Sequence, residues 1–203
     1  MRTLKLYFLT NNKHKYSEIL DIFNKVKTQI RIEMYSYPNT KLEIQAENLE
    51  EIVKFAVKYA RKKGLDNFFI EDSGLFIEAL KGFPGPFSSY VFKTIGIPGI
   101  LRLLENETNR KAFFKSVIGL CLNGKTYIFT GVVKGRISEI PRGKHGFGFD
   151  PIFIPNGFSK TFAEMTLKEK NTVSHRSRAA KKMLNFLQNF LRGDVMEENK
   201  NTF

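Results

Sequence analysis

The pattern that most constrains this chain is a pair of apolar stretches, Ala112 to Leu122 and Thr126 to Val133, joined by Asn123-Gly124. Asn-Gly tolerates positive φ at both central positions of a type I′ turn, and the twist of that turn matches the strands it joins. The pattern therefore predicts a long β-hairpin. On its N-terminal side, Leu4 to Leu9 reads as a strand ended by Thr10-Asn11-Asn12, and Tyr16, Ile19, Leu20, Phe23 and Val26 follow at helical spacing. Ile30 to Tyr35 predicts a second strand, and Leu49, Ile52, Val53, Ala56 and Ala60 a second helix closed by Gly64. Phe68 to Ile70 is a brief strand leading into Glu71-Asp72-Ser73-Gly74; Gly82 to Pro86 breaks regular structure, and a helix is expected over Ser89 to Leu104. Gly143 to Asp150 is a glycine-rich loop before a short strand, Ile152 to Ile154, and Ala180, Met183, Leu184, Leu187 and Leu191 line the last helix. Strands interleave with helices and there is no repeat or linker. The fold class is α/β: one domain over 1–192 with an elongated mixed sheet flanked by helices, then a polar tail over 193–203.

With 203 residues, the chain can bury a substantial core as one domain. Its single cysteine, Cys121, excludes an intrachain disulfide and lies in the apolar run Val117 to Leu122, so it reads as a buried structural thiol. The apolar stretches are too short to span a membrane. Lys5 interrupts the first of them and no small-residue cleavage site follows, so a cytoplasmic protein without a membrane partner is expected. The net charge of +13 favours anionic partners. The lysines are spread along the chain rather than gathered in one basic arm, which argues against nucleic acid as the partner.

Four polar clusters stand out at loops or element ends, where sites are commonly built. Thr10-Asn11-Asn12-Lys13-His14-Lys15 opens the first helix and reads either as a phosphate cradle or as an Asn N-cap followed by solvated lysines. Adjacent carboxylates in Glu71-Asp72-Ser73-Gly74 are costly at the end of a buried strand unless a cation compensates, and oxygen ligands suit magnesium; an acidic surface turn capped by Ser73 is the alternative. Glu43 and Glu47 are candidates to complete a metal site. In Gly143 to Pro151, Phe147 and Phe149 offer flat faces, Gly148 allows close approach and Asp150 supplies a carboxylate, a set that suits a stacked base; core phenylalanines among turn glycines are the alternative. Glu169 to Arg176 bunches Lys170, His175 and Arg176 ahead of the last helix, either as anion contacts or as solvated residues around the N-cap Ser174. Each bland reading is tolerable singly; four side by side are much less so.

These segments, in this order, resemble the inosine triphosphate pyrophosphatase (Ham1-like) family. The match is carried by Thr10 to Lys15, by Glu71-Asp72-Ser73-Gly74-Leu75 with Gly82-Phe83-Pro84-Gly85, by Phe129-Thr130-Gly131, by Gly146 to Phe153, and by Glu169-Lys170-Asn171 with Ser174-His175-Arg176. The resemblance implies magnesium-dependent cleavage of non-standard purine nucleoside triphosphates (ITP, dITP, XTP) to monophosphate and pyrophosphate, by a homodimer with a cleft between two lobes. It also implies roles. Thr10, Asn11, Asn12, Lys13, His14 and Lys15 hold the triphosphate, with Asn12 and Lys15 the most direct contacts. Glu43 and Asp72 bind magnesium, Asp72 helps activate water, and Glu71 supports that site. Ser73 lines the cleft; Phe147, Gly148, Phe149 and Asp150 stack on and read the purine. Lys170, His175 and Arg176 contact phosphate or the six-position oxygen of the base. One departure is Phe55, where many members carry a phosphate-binding lysine in the second helix. Three rival readings are a related pyrophosphatase for pyrimidine or methylated bases, a nucleic-acid-binding protein, and a nucleotide-binding pseudoenzyme. A nucleic-acid binder leaves Glu71 and Asp72 unexplained, because acidic pairs repel a phosphate backbone.

Overall fold

The computed structural model describes residues 3–26, 29–36 and 44–193. Glu43 and all of the polar tail beyond Gly193 lie outside the described residues. In chain order the elements are β1 (Leu4–Leu9), α1 (Lys13–Asn24), β2 (Ile30–Tyr35), α2 (Leu49–Lys62), β3 (Phe68–Ile77), β4 (Pro84–Gly85), α3 (Ser88–Thr94), α4 (Gly96–Leu103), β5 (Lys111–Leu122), β6 (Lys125–Ile137), β7 (Phe153–Pro155), α5 (Leu167–Val173) and α6 (His175–Arg192).

The hairpin forms as its turn chemistry predicts. β5 and β6 pair without interruption from Lys111↔Arg136 to Leu122↔Lys125, and Asn123 and Gly124 take φ of 49° and 72°. Around this hairpin the sheet runs in the order β2-β1-β3-β5-β6-β7, with β4 paired to β3. β1 is parallel to β2 and β3, and the remaining pairings are antiparallel, so the sheet is mixed.

Helices cover both faces. Ile19, Ile22 and Phe23 of α1 and Ala179, Ala180, Met183, Leu184 and Leu187 of α6 pack on Leu6, Phe8, Phe69, Ile118 and Leu120. On the opposite face, Leu49, Val53, Val57 and Ala60 of α2 bury Phe68, Val117 and Cys121. Burial, with Asp66 beside it, pushes the Cys121 thiol up to about 12, so it carries no thiolate at neutral pH. A third cluster gathers Val91, Ile100 and Leu104 around Leu75, Phe114, Phe149, Phe153 and Phe162.

Four boundaries differ from expectation. The strand predicted to stop at Ile70 continues to Ile77 and carries Glu71 to Gly74 within it, because β5 supplies an unbroken ladder from Phe68↔Cys121 to Ile77↔Ala112. The single helix expected over Ser89 to Leu104 is two, broken at Gly96, whose φ of +61° is left-handed. The polar stretch before the last helix folds as α5, which Thr166 and Glu169 start with a reciprocal capping box. A 3₁₀ turn over Asp150–Ile152 displaces the short strand to Phe153–Pro155.

Candidate active site

The sheet itself opens the site. β1 and β3 share only Tyr7↔Phe68 and Phe8↔Phe69 before the chain leaves Leu9 for α1 while β3 runs on against β5. The crossover from β1 leads to β2 on one side while β3 lies on the other, so a crevice forms at the carboxyl ends of the parallel strands, the usual ligand position in such sheets. A cleft of about 1480 Å³ there is lined by Thr10 to Lys15, Asp72, Ser73, Phe147 to Asp150, His175 and Arg176. The expected residues therefore meet, with two exceptions. Lys170 lies buried behind the wall, and Glu43 falls outside the described residues. Phe55 is not in the lining either; α2 turns Ile52, Val53 and Ala56 to the cleft.

At the mouth, α1 starts with a reversed charge pattern. α2 follows the helix dipole, with Glu50 and Glu51 in its first turn and Arg61 and Lys62 in its last. α1 has no acidic residue in its first turn and opens instead with Lys13, His14 and Lys15. Asn12 is the N-cap: its Oδ1 accepts from the backbone N–H of His14 at 2.9 Å and of Lys15 at 3.1 Å. The cap consumes those two amides, so an anion here would be held chiefly by side chains.

Lys15 faces the acidic pair, with Nζ 3.0 Å from Glu71 Oε2, 3.5 Å from Asp72 Oδ1 and 3.3 Å from the Glu71 carbonyl. Strand alternation separates the two carboxylates. Glu71 is buried, accepts from Ser116 Oγ at 2.7 Å and lies 3.2 Å from Arg176 Nε. Burial alone would raise it, but Arg176 and Lys15 outweigh the desolvation and hold its carboxyl at about 2. Asp72, on the opposite face of the strand, keeps its side chain 32% exposed at the cleft.

Beneath the cleft runs an ion network that no sequence motif announced. Glu18 of α1 is buried and pairs with Lys170 Nζ at 2.7 Å and with Arg176 Nη1. Lys170 also meets Asp150 Oδ2 at 2.5 Å, and Arg176 Nη2 donates to Ser73 Oγ at 2.8 Å. Burial opposes charge on Glu18, yet Arg176 and Lys170 hold it below the ordinary carboxylate range. Burial likewise opposes charge on Lys170, but Asp150 and Glu18 keep it protonated. Asp150, Glu18 and Glu71 thus face Lys170, Arg176 and Lys15, and of the three acids only Asp150 is pushed up, by burial that its contact with Lys170 does not offset. Neither Lys170 nor Arg176 is a solvated helix-start residue. His175 is buried too, and burial with Arg176 nearby pushes it well below its ordinary range. The neutral imidazole stacks on Phe114 at 4.6 Å and 11°.

The glycine-rich loop splits its phenylalanines. Phe149 is buried in the core, whereas Phe147 is half-buried at the cleft. Asp150 Oδ2 accepts from the Phe147 backbone N–H at 2.9 Å, closing the loop. Gly146 is required there, since its φ is +74° and a Cβ would sit 2.0 Å from Asp150 Oδ2. Lys170 Nζ and Arg176 Cζ lie 5.3 and 5.4 Å from the Phe147 ring centroid, and the His14 ring stacks on it at 5.3 Å.

The donor set suits a hard cation. Asp72 and the nearby Glu71 carbonyl offer oxygen donors, and Lys15 holds a positive charge against the pair. Magnesium needs only one or two protein carboxylates when substrate phosphates and water supply the rest. Among the described residues no group of three or more His, Cys, Asp or Glu gathers as a metal cluster.

Fold and site together define an α/β protein with a cationic helix mouth, an acidic strand and an aromatic loop on one cleft. The chain belongs to the Ham1 family, which it matches over residues 6–186. It is 51% identical over 185 residues to the dITP/XTP pyrophosphatase of Pyrococcus horikoshii, covering 91% of this chain and 97% of that one. It is 50% identical over 189 residues to the protein of the same name from Thermococcus kodakarensis, covering 93% of this chain and all of the relative. Among solved structures, a HAM1 protein from Coxiella burnetii superposes with a TM-score of 0.77 at 30% identity, over 92% of this chain and 99% of that one. The Staphylococcus aureus Ham1 protein gives 0.75 at 29%, over 94% and 99%.

Two features escaped the sequence reading. Glu18 sits on a helix face among Ile19, Ile22 and Phe23, and a charged residue beside an apolar stripe was its only signal. The cleft rim formed by Phe83, Phe87, Tyr90, Phe92 and Ile95 was the other; all five are exposed, and their aromatic density was visible.

Proposed function

We propose that this chain hydrolyses non-standard purine nucleoside triphosphates (dITP, XTP and ITP) to the monophosphate and pyrophosphate, with magnesium as cofactor. The observation that carries this reading is the meeting of Lys15, Asp72 and the Phe147 loop on one cleft, in a chain half identical to two dITP/XTP pyrophosphatases. A triphosphate carries about four negative charges, which must be offset before a nucleophile can reach phosphorus. Thr10, Asn11, Asn12, Lys13 and Lys15 bind it at the head of α1, where the helix dipole adds to their charge. Asp72, with Glu43, would hold magnesium, which when bound supplies positive charge and acidifies water. Asp72 orients the attacking water toward the α-phosphorus, and Lys15 beside it steadies the departing pyrophosphate.

Selectivity follows from the buried floor. Arg176, which lines the cleft, bears only donors, so a six-position oxygen finds partners there while a six-position amino group meets donor against donor. Glu18 and Glu71 fix its guanidinium in place, which makes this a rigid test of the base edge.

The test is pyrophosphate release from dITP, XTP, ITP, ATP and GTP, with magnesium and with a chelator. Chelator-sensitive release from the first three, roughly a hundredfold faster than from ATP, is expected, with GTP, which shares the six-position oxygen, testing the other edge of the base. No release from any of them would overturn the reading. The same preparation is expected to sediment as a homodimer, since α3 and its flanks expose Phe87, Tyr90, Phe92 and Ile95.

A further inference from the structure

We propose that His14 is an aromatic wall of the nucleobase slot and not a phosphate ligand. The inference rests on the purine-nucleotide reading above and concerns how the head of α1 divides its side chains. Successive residues on a helix diverge by about 100°. Lys15 takes the direction of the acidic pair, 3.0 Å from Glu71 and 3.5 Å from Asp72. His14 takes another: its ring lies 5.3 Å from that of Phe147, with the planes 20° apart. Its backbone N–H is already held by Asn12 Oδ1 at 2.9 Å, so it is not available to phosphate.

Phe147 is also the ring over which Lys170 and Arg176 stand, at 5.3 and 5.4 Å. A flat ligand in the cleft that meets Arg176 beside Phe147 is therefore within reach of the imidazole. His14 is exposed while Arg176 is buried, so His14 approaches from the mouth and Arg176 from the floor. Stacked planes lie about 3.5 Å apart, and a purine between two rings needs about 7 Å. The present 5.3 Å between centroids is too close for that, so His14 must swing outward to admit a base and then close on its outer face. No hydrogen bond to the imidazole among the described residues opposes the movement.

The experiment compares His14→Ala, His14→Phe and His14→Lys with the wild-type chain, reading KM for dITP and the inhibition constant of inorganic tripolyphosphate, a probe without a base. His14→Ala and His14→Lys are expected to raise KM about five- to tenfold, with the loss in KM rather than kcat. His14→Phe is expected to restore KM to within about twofold, and tripolyphosphate inhibition of His14→Ala to stay unchanged. Weaker tripolyphosphate inhibition of His14→Ala, no rescue by phenylalanine, or an unmoved KM would each overturn the proposal. A wild-type chain that cleaves no purine triphosphate would remove the functional reading and this inference together. An active wild type with an unmoved His14→Ala would remove this inference alone.

Discussion

Glu71 and Asp72 are neighbours in the chain with opposite surroundings. Alternation along β3 sends Glu71 inward to Ser116 and Arg176 and leaves Asp72 at the cleft beside Lys15. Their amides should therefore fail differently. Asp72→Asn is expected to cut turnover at least about a hundredfold, while weakening its exposed pairing with Lys15 costs about 1 kcal/mol. Glu71→Gln strips a buried partner from Arg176 and Lys15 and should cost about 3 kcal/mol. Steady-state rates beside denaturant melts separate the two. An Asp72→Asn protein that keeps magnesium-dependent activity would end the assignment of Asp72.

At the scale of elements, the approach of α6 to the hairpin sets where His175 and Arg176 stand. Gly131 of β6 permits it: a Cβ there would lie 2.1 Å from the His175 carbonyl oxygen and 2.5 Å from the Ala179 nitrogen, both backbone. Arg178 Nη1 and Lys182 Nζ, on the same helix, donate to the carbonyls of Val132 and Thr130 at 2.7 and 2.8 Å and fix the contact. Gly131→Ala must push a whole helix outward, which should cost about 3 kcal/mol and lower Tm by about 6–12 °C. It should also raise KM, because Arg176 moves with the helix. A thermal melt that matches wild type would show that this contact is looser than its geometry.

For the whole molecule, the ion network ties the beginning of the chain to its end. Glu18 on α1 meets Lys170 on α5 and Arg176 on α6, and Asn171 Nδ2 donates to the Glu18 carbonyl at 3.1 Å. The tie has a pH signature. Glu71 is held at about 2 in the fold against an ordinary 4.5, and Glu18 is lowered as well. Lowered carboxylates contribute their stability above the unfolded value and lose it as pH falls through the folded one. Stability should therefore be level in this respect from pH 7 to 5 and decline from about 4.5 towards 2, Glu71 alone accounting for about 3 kcal/mol. Denaturant midpoints at pH 7, 5 and 3 test this; equal midpoints at 5 and 3 would mean that the network does not hold the two ends.

Much of this was legible in one dimension because it is local. The Asn123-Gly124 turn, the Asn12 and Ser174 caps and the helical stripes depend on residues within a few positions of each other. Ordered motifs likewise marked the polar residues that meet on the cleft, since they lie at strand ends and helix starts that the topology brings to one edge, but not its aromatic rim along α3. The strand through Glu71 to Gly74 was not legible, because its polar side chains are satisfied by Ser116, Arg176 and Lys15, all distant in sequence. Glu18 was hidden for the same reason: its partners lie 152 and 158 residues away. Desolvation decides the state of such a carboxylate, and desolvation exists only once the chain has closed over it. The sequence by itself determined the elements and the chemical groups offered to the cleft. Only the tertiary structure decided which charges are buried against one another and which remain free to meet a ligand.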